Sequence, residues 1–99
     1  MIRYEVTVDM PEPRAADFEA YMRTKHIPEI LATGCFAHIR FDRAGPTRFR
    51  TCYHAATRAD FERYLADHAA RFRADFAAHF GGAATVSRDI WETVQSWPA

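Results

Sequence analysis

The sequence has few of the features that would assign it to a specialised class. It holds only two cysteines among 99 residues, Cys35 and Cys52, and they do not form a C-x-x-C pair. Two cysteines are too few for a disulfide-stabilised scaffold. We therefore expect both thiols to be free and buried, in a protein of the reducing cytoplasm.

Charge of one sign is also missing. The chain has 13 basic and 13 acidic residues, and Lys25 is its only lysine. Without a basic tail or cluster, nucleic acid is not an expected partner. The other basic residues are arginines, whose forked guanidinium groups suit pairing with carboxylates of the same chain. No apolar run approaches the roughly 20 residues of a membrane span, and the start does not resemble a secretory signal, so no membrane partner is expected.

The familiar catalytic and cofactor motifs are absent. There is no G-x-G-x-x-G, no P-loop and no H-E-x-x-H, which are the short signatures of dinucleotide, phosphate and zinc sites. The only serines are Ser87 and Ser96, and neither lies in a nucleophile-elbow context. We therefore expect no metal and no cofactor.

What the chain does contain is typical of a small globular domain. Apolar residues make up 48% of it, with eight Phe, four Tyr and two Trp, so residues 1–99 are expected to form one domain. Ile2–Asp9 alternates apolar and polar residues, which predicts a strand with one apolar face. A helical stripe follows from Arg14 to about Lys25. Because Pro28 disfavours helical angles at the preceding residue, this helix is predicted to end by about His26. Pro28 can then open a second, short helical turn through Leu31, which Gly34 is placed to end.

The remaining segments predict two more strands, a long helix and a last strand. Cys35–Asp42 and Arg48–Ala55 alternate and are joined by a short Gly-Pro turn, which indicates a hairpin. Thr57 is placed to cap an unbroken helix that runs to the Gly81-Gly82 pair. Thr85–Val94 is the last strand. The order β-α-β-β-α-β predicts an α+β, ferredoxin-like fold: a four-stranded antiparallel sheet with two helices on one face.

The strand pattern leaves the other face of the sheet open. It could be an ordinary solvated face, which antiparallel sheets allow. Alternatively, two such faces could meet in a homodimer and enclose a cavity for a small-molecule ligand. This face is predicted to carry Arg3, Glu5, Thr7, Phe36, His38, Arg40, Arg50, Cys52 and His54.

Three stretches carry a resemblance to a known group of proteins. They are the opening strand IRYEVTV, the block HIPEILATGCF and the block RYLADHAARFRADFAAHFG. Together they resemble the dimeric α+β-barrel proteins, and most closely a family of bacterial proteins of about this length and of unknown function. His26-Ile27-Pro28 is also similar to the H-x-P element of ethyl-tert-butyl-ether-degradation proteins.

The resemblance implies a homodimer with a cavity, but it does not select one reaction. The same superfamily includes cofactor-free quinone-forming monooxygenases, muconolactone isomerases, polyketide cyclases and haem enzymes, and one fold hosts many chemistries. The first hypothesis is a cofactor-independent small-molecule enzyme of the isomerase, cyclase or monooxygenase type. The alternative is a non-catalytic ligand-binding or accessory dimer.

His26 and His38 are the candidate catalytic residues. A histidine at a helix end could act as a base near neutral pH, and His38 could move a proton on the open sheet face. His26 is predicted to mark the mouth of a pocket between the first helix and that face. A ring fully buried beneath the helices, or one that points to bulk solvent far from His38 and Arg40, would contradict a catalytic role for His26. Alternatively, His26 only caps the carbonyls at the helix end.

The candidate substrate-binding residues are Arg3, Glu5, Arg40 and Arg50, all on the open sheet face. Arg40 or Arg50 could bind an enolate or carboxylate. Arg3 and Glu5 face the same space, and they could only pair with these arginines in a cross-strand ion network. His68 lies on the apolar stripe of the long helix. It is interpreted as a core histidine, and its alternative role is a haem ligand, as in the haem-degrading relatives.

Overall fold

The computed structural model describes residues 1–99. Four strands and four α-helical segments follow one another along the chain, with one π-helical turn between the first two helices. They are β1 (Ile2–Asp9), α1 (Glu12–Tyr21), the π turn (Met22–His26), α2 (Ile27–Leu31), β2 (His38–Ala44), β3 (Arg48–Ala55), α3 (Arg58–Asp67), α4 (Ala69–Phe80) and β4 (Thr85–Glu92).

The strands form one antiparallel sheet in the order β2-β3-β1-β4. In the register, Tyr4 lies opposite Tyr53 and Ile90, and Glu5 lies opposite Cys52 and Asp89. Directly opposed residues point to the same face of a sheet. The sheet therefore has a helix-covered inner face and an uncovered outer face, which confirms the predicted ferredoxin-like α+β fold.

The core lies between the helices and the inner face. One cluster joins Tyr4, Tyr53, Phe61 and Tyr64, and a second centres on Phe18, which is 0% exposed. Both cysteines are free and buried, as the sequence predicted. None of the helices combines the length and the apolar character that a membrane crossing requires.

The chain does not leave the helical conformation at His26, so that prediction was wrong, whereas the predicted short turn through Leu31 is present as α2. The helix continues through the π turn, in which the Ile27 N–H donates to the carbonyl of Met22, five residues earlier. A proline in an α-helix lacks an N–H and clashes with the carbonyl four residues before it. The wider π turn accommodates Pro28 without breaking the helix, and the Thr24 hydroxyl donates to the Ala20 carbonyl at 2.7 Å.

Two further predictions were wrong in detail. The second strand begins at His38 and not at Cys35, and Phe36 lies before it, buried against Tyr53 and Tyr64 beneath the helices. Phe36 therefore does not belong to the outer face. The long second helix is interrupted at His68, whose φ and ψ of −130° and −36° end α3 before α4 begins.

Candidate active site

A small cavity lies between the helices and the inner face of the sheet. Its volume is about 40 Å³, which accommodates a few water molecules, since one water needs roughly 10–15 Å³ by this measure. Ten of its 14 lining residues are hydrophobic. The polar groups among them include His26 and Thr51, and the aromatic wall is formed by Tyr4, Phe18, Tyr53, Tyr64, Phe72 and Phe76.

His26 lies on the helix side of this cavity and is held by a chain of hydrogen bonds. The Tyr21 hydroxyl donates to Asp75 Oδ2 at 2.6 Å, and the same phenol oxygen lies 3.1 Å from His26 Nδ1. Because the single hydroxyl proton goes to Asp75, Nδ1 must carry its own proton and donate to Tyr21. This tautomer leaves Nε2 as a free acceptor on a ring that lines the cavity.

The π turn is what brings Tyr21 and His26 together. In an α-helix with 3.6 residues per turn, side chains five positions apart point in different directions. The additional residue in the π turn rotates His26 back towards Tyr21, so that the two ring centroids are 5.3 Å apart. Asp75 on α4 completes the arrangement and is also bound by Lys25 Nζ at 2.9 Å.

Burial keeps His26 neutral. The ring is 9% exposed, and loss of hydration lowers its pKa to about 4, with Asp75 opposing and Lys25 assisting this shift. The hydrogen bonds from Lys25 and Tyr21 hold the pKa of Asp75 below its ordinary value. At neutral pH the site therefore contains a neutral imidazole backed by a carboxylate.

The other predicted site residues lie across the sheet, on the outer face. The His38 and His54 rings are 5.2 Å apart, and His54 Nε2 is enclosed without a partner. Arg50 is 3.9 Å from Glu5, and Arg40 is 3.6 Å from Asp42 on its own strand. Arg3 has no carboxylate partner within salt-bridge distance, so the alternative of an ion network describes only part of this face.

The predicted pocket shared by His26, His38 and Arg40 is not formed. His26 lies beneath the helices, whereas His38 and Arg40 are exposed on the opposite side of the sheet. This placement contradicts a catalytic role for His26 at the open sheet face. Its ring is 9% exposed and lines the inner cavity, so any catalytic role of His26 belongs to that cavity. The connection from α2 to β2 does return the chain to the sheet. On the way, Cys35 and Phe36 are buried in the core beneath the helices and do not reach the outer face. The roles of Arg3, Glu5, Arg40 and Arg50 in binding a substrate remain predictions.

Other surfaces offer less chemistry. A larger open groove between α1 and the β2–β3 hairpin is lined by charged and small residues, among them Glu19 and Arg43, which pair with each other at 2.9 Å. His68 lies at the break between α3 and α4, beside the Arg71 guanidinium and the Tyr64 ring, and does not line the cavity.

The sequence does not predict the roles of Tyr21, Asp75 and Arg88. Tyr21 lies within the helical stripe, and no local pattern indicates the π turn that brings it to His26. Asp75 is 54 residues from Tyr21 in the chain, so no local pattern connects them. Arg88 lies on a strand with weak alternation, and only its register with Val6 places it on the inner face.

The fold defines a ferredoxin-like α+β protein. Residues 1–94 match the family described as Domain of unknown function (DUF4286), and the chain belongs to that family. No curated protein matches its sequence.

Several solved structures share the fold. SnoaB, a cofactor-independent oxygenase from Streptomyces nogalater, is 14% identical with a TM-score of 0.79, over 99% of this chain and 97% of SnoaB. An ethyl tert-butyl ether degradation family protein from Bacillus halodurans is 11% identical with a TM-score of 0.69, over 95% of this chain and all of that one. A dimeric ferredoxin-like protein from an uncultured marine organism is 17% identical with a TM-score of 0.64, over 97% of both chains.

Proposed function

We propose that this protein is a cofactor-independent enzyme that removes a proton from a small cyclic or aromatic substrate in the cavity beneath the helices. The observation that carries the proposal is the free Nε2 of His26, on a ring that lines a mostly apolar cavity and is held through Tyr21 to Asp75. The fold shared with SnoaB, described as a cofactor-independent oxygenase, supports the class.

The hydrogen-bond chain gives each residue a role. His26 Nε2 accepts a proton from a carbon or hydroxyl acidified by a neighbouring carbonyl. The imidazolium that forms keeps its Nδ1–H bond to Tyr21, whose hydroxyl is bonded to the Asp75 carboxylate, so the new charge is stabilised without movement of the residues that hold it. Tyr21 and Asp75 are therefore positioning residues.

The low pKa of His26 sets a condition on this chemistry. A group with a pKa of about 4 is unprotonated and available at neutral pH, but it is a weak base. Proton transfer becomes favourable when the imidazolium and the substrate anion form an ion pair in the apolar cavity. The substrate must also widen the cavity, because about 40 Å³ is far below the several hundred Å³ of ordinary ligand sites.

Hydrogen–deuterium exchange on a carbon acid tests the proposal without knowledge of the natural substrate. The intact protein is incubated with 2-tetralone in deuterated buffer, and loss of the proton signal next to the carbonyl is followed by NMR. His26→Gln is expected to lower the rate by roughly 10²–10⁴-fold, the usual contribution of a general base. Tyr21→Phe is expected to lower it less and to shift its pH profile, because Nδ1 loses its acceptor.

Three results discriminate among the alternatives. If His38→Gln lowered the exchange rate by this amount and His26→Gln kept the full rate, the catalytic base would be on the outer face. Saturable binding of 2-tetralone and other carbonyl probes without exchange would instead favour a non-catalytic ligand-binding dimer. Anthrone provides a further test, since a monooxygenase would convert anthrone and O2 to anthraquinone and water, whereas an isomerase or cyclase would not consume O2.

The proposal includes a homodimer. The edge strand β4 exposes large apolar side chains on both faces: Ile90 is 55% exposed on the inner face and Trp91 is 51% exposed on the outer face. Exposed apolar surface of this kind marks association sites. The dimeric ferredoxin-like relative has the same fold. A second copy packed on the outer face and β4 would cover this surface.

A further inference from the structure

The cavity beneath the helices carries positive charge without a compensating carboxylate. Arg73 on α4 and Arg88 on β4 both line it, and none of its lining residues is Asp or Glu. Seven of the twelve arginines in the chain form an ion pair with a carboxylate. Arg73 and Arg88 are not among them, although the protein has equal numbers of acidic and basic residues.

Both arginines line the cavity from the inner side of the sheet. Arg73 Nη2 donates to the Tyr4 hydroxyl at 3.2 Å, at the sheet side of the cavity. Arg88 lies opposite Val6 in the register, so its side chain leaves the sheet on the inner face. Burial raises the pKa of the Tyr64 hydroxyl, and the charges of Arg73, Arg71 and Arg88 all oppose that rise. Of these three arginines, Arg73 and Arg88 line the cavity and Arg71 does not.

The rest of the wall is suited to a flat apolar group. Six aromatic rings line the cavity together with small apolar side chains, and aromatic walls favour stacked or edge-on contact with another ring. Met22 also lines it and is unbranched and adaptable. Movement of Met22 and of the exposed Arg73 and Arg88 side chains would give a ring more room than the present 40 Å³.

We infer that the cavity binds a small aromatic anion, with Arg73 and Arg88 holding its carboxylate or phenolate oxygens and the aromatic wall holding its ring. This inference deepens the proposed function, because it assigns a substrate class to the site that contains His26. An anionic group held at the arginines would leave the ring carbons facing the inner part of the cavity, where the His26 ring lies. The competing explanation is that both arginines are ordinary solvated surface cations.

Benzoate and benzamide provide a matched pair of probes, since they have nearly the same shape and differ in charge. The intact protein is titrated with each and followed by proton–nitrogen NMR. Benzoate is expected to bind more tightly, to shift signals of cavity residues, and to weaken with added salt. Arg73→Gln and Arg88→Gln should each weaken benzoate binding about tenfold, the range expected for one lost charge-assisted hydrogen bond.

Arg71→Gln is the matched control. Arg71 is on the same helix as Arg73 and forms no carboxylate ion pair, but it packs on Phe72 and does not line the cavity. Its removal changes the net charge equally and is expected to leave benzoate affinity close to that of the unmodified protein. Equal binding of benzamide, equal weakening in Arg71→Gln, or shifts confined to the outer face would each overturn the inference.

The result of the benzoate titration can be distinguished from the result of the exchange experiment that tests the proposed function. His26→Gln removes the proposed base but keeps the charge of the cavity, so benzoate affinity should persist in that variant. Arginine-dependent benzoate binding in a protein that exchanges no carbon acid would support this inference and contradict the enzyme. Exchange of 2-tetralone in a protein that binds benzoate no more tightly than benzamide would support the enzyme and contradict this inference.

Discussion

At the scale of single residues, His26 is stabilised as a neutral group and penalised as a charged one. Its ring packs against Phe72 and Phe76 with centroid separations of 5.9 and 6.4 Å. Lys25, the adjacent cation, also disfavours protonation, while Asp75 favours it. Since burial dominates, proton binding by the folded protein must be weaker than by the unfolded chain.

This difference predicts a loss of stability in mild acid. The unfolded chain takes up the proton below the ordinary histidine pKa of about 6.5, whereas the folded protein does so only near 4. The contribution of neutral His26 to the free energy of unfolding is therefore fully present above about pH 6.5. It falls by about 3 kcal/mol as the pH drops to 4. Urea unfolding at a series of pH values measures this loss.

In His26→Gln the same titrations should show a much flatter pH dependence. Glutamine retains a donor for the Tyr21 hydroxyl, so the comparison isolates the ionisation. His54, whose pKa is also lowered chiefly by burial, contributes equally to both proteins and cancels in the difference. Parallel curves for the two proteins would contradict the buried neutral state of His26.

The identity of this residue was accessible from the sequence, but its surroundings were not. Pro28, two positions after His26, indicates a helix end at this histidine. A helix end there would turn the ring towards His38 and Arg40, whereas the π turn directs it towards Tyr21. The partners that define its chemistry, Tyr21 and Asp75, depend on packing between two helices, which no local pattern encodes.

At the scale of elements, α3 is the one α-helix whose N-terminus is capped by a side chain. The Thr57 hydroxyl accepts a hydrogen bond from the Asp60 N–H at 3.1 Å and so caps α3, as the sequence predicted. Such a cap satisfies one of the free N–H groups in the first helical turn.

Thr57→Ala is accordingly expected to lower the free energy of unfolding by about 0.5–2 kcal/mol. Thr57→Ser keeps the hydroxyl oxygen and should restore most of the loss. Chemical denaturation at neutral pH provides both values. If serine were as destabilising as alanine, the loss would come from the threonine methyl group and not from the cap.

Strands were predicted more accurately than helices. β1 and β3 have the predicted bounds because a period of two, bounded by turn residues, is a strong local signal. The helix interruptions were missed for different reasons. The π turn is a local response to Pro28, and a proline usually ends a helix. The break at His68 has no proline or glycine beside it, and we find no physical cause for it in the contacts of this residue.

At the scale of the whole molecule, the sheet is unevenly covered. The helices pack over β1, β2 and β3, and the core clusters take from β4 only Val86, as a peripheral member. Most of β4 is exposed on both faces. The outer face also contains the buried Cys52 and side chains of both charge signs. A surface with both signs can pair with a second copy of itself across a two-fold axis.

The protein is therefore expected to have the mass of a dimer in light scattering at micromolar concentration. A stable interface of this kind buries about 1,200–2,000 Å² in total. Trp91→Arg should shift the mass towards that of the monomer, because a guanidinium replaces a large apolar contact on β4. Leu65→Arg, at an exposed apolar position on α3, is the matched control and should leave the dimer intact.

Both tryptophans of this protein lie outside its core. Trp91 is half exposed and Trp97 is 76% exposed, whereas the buried rings all belong to Phe, Tyr and His. Intrinsic tryptophan fluorescence is thus insensitive to packing beneath the helices and sensitive to whatever covers β4 and the C-terminal tail. A dilution series should move the emission to longer wavelength as subunits separate, while far-ultraviolet circular dichroism stays constant. The two signals would separate assembly from folding without any added label.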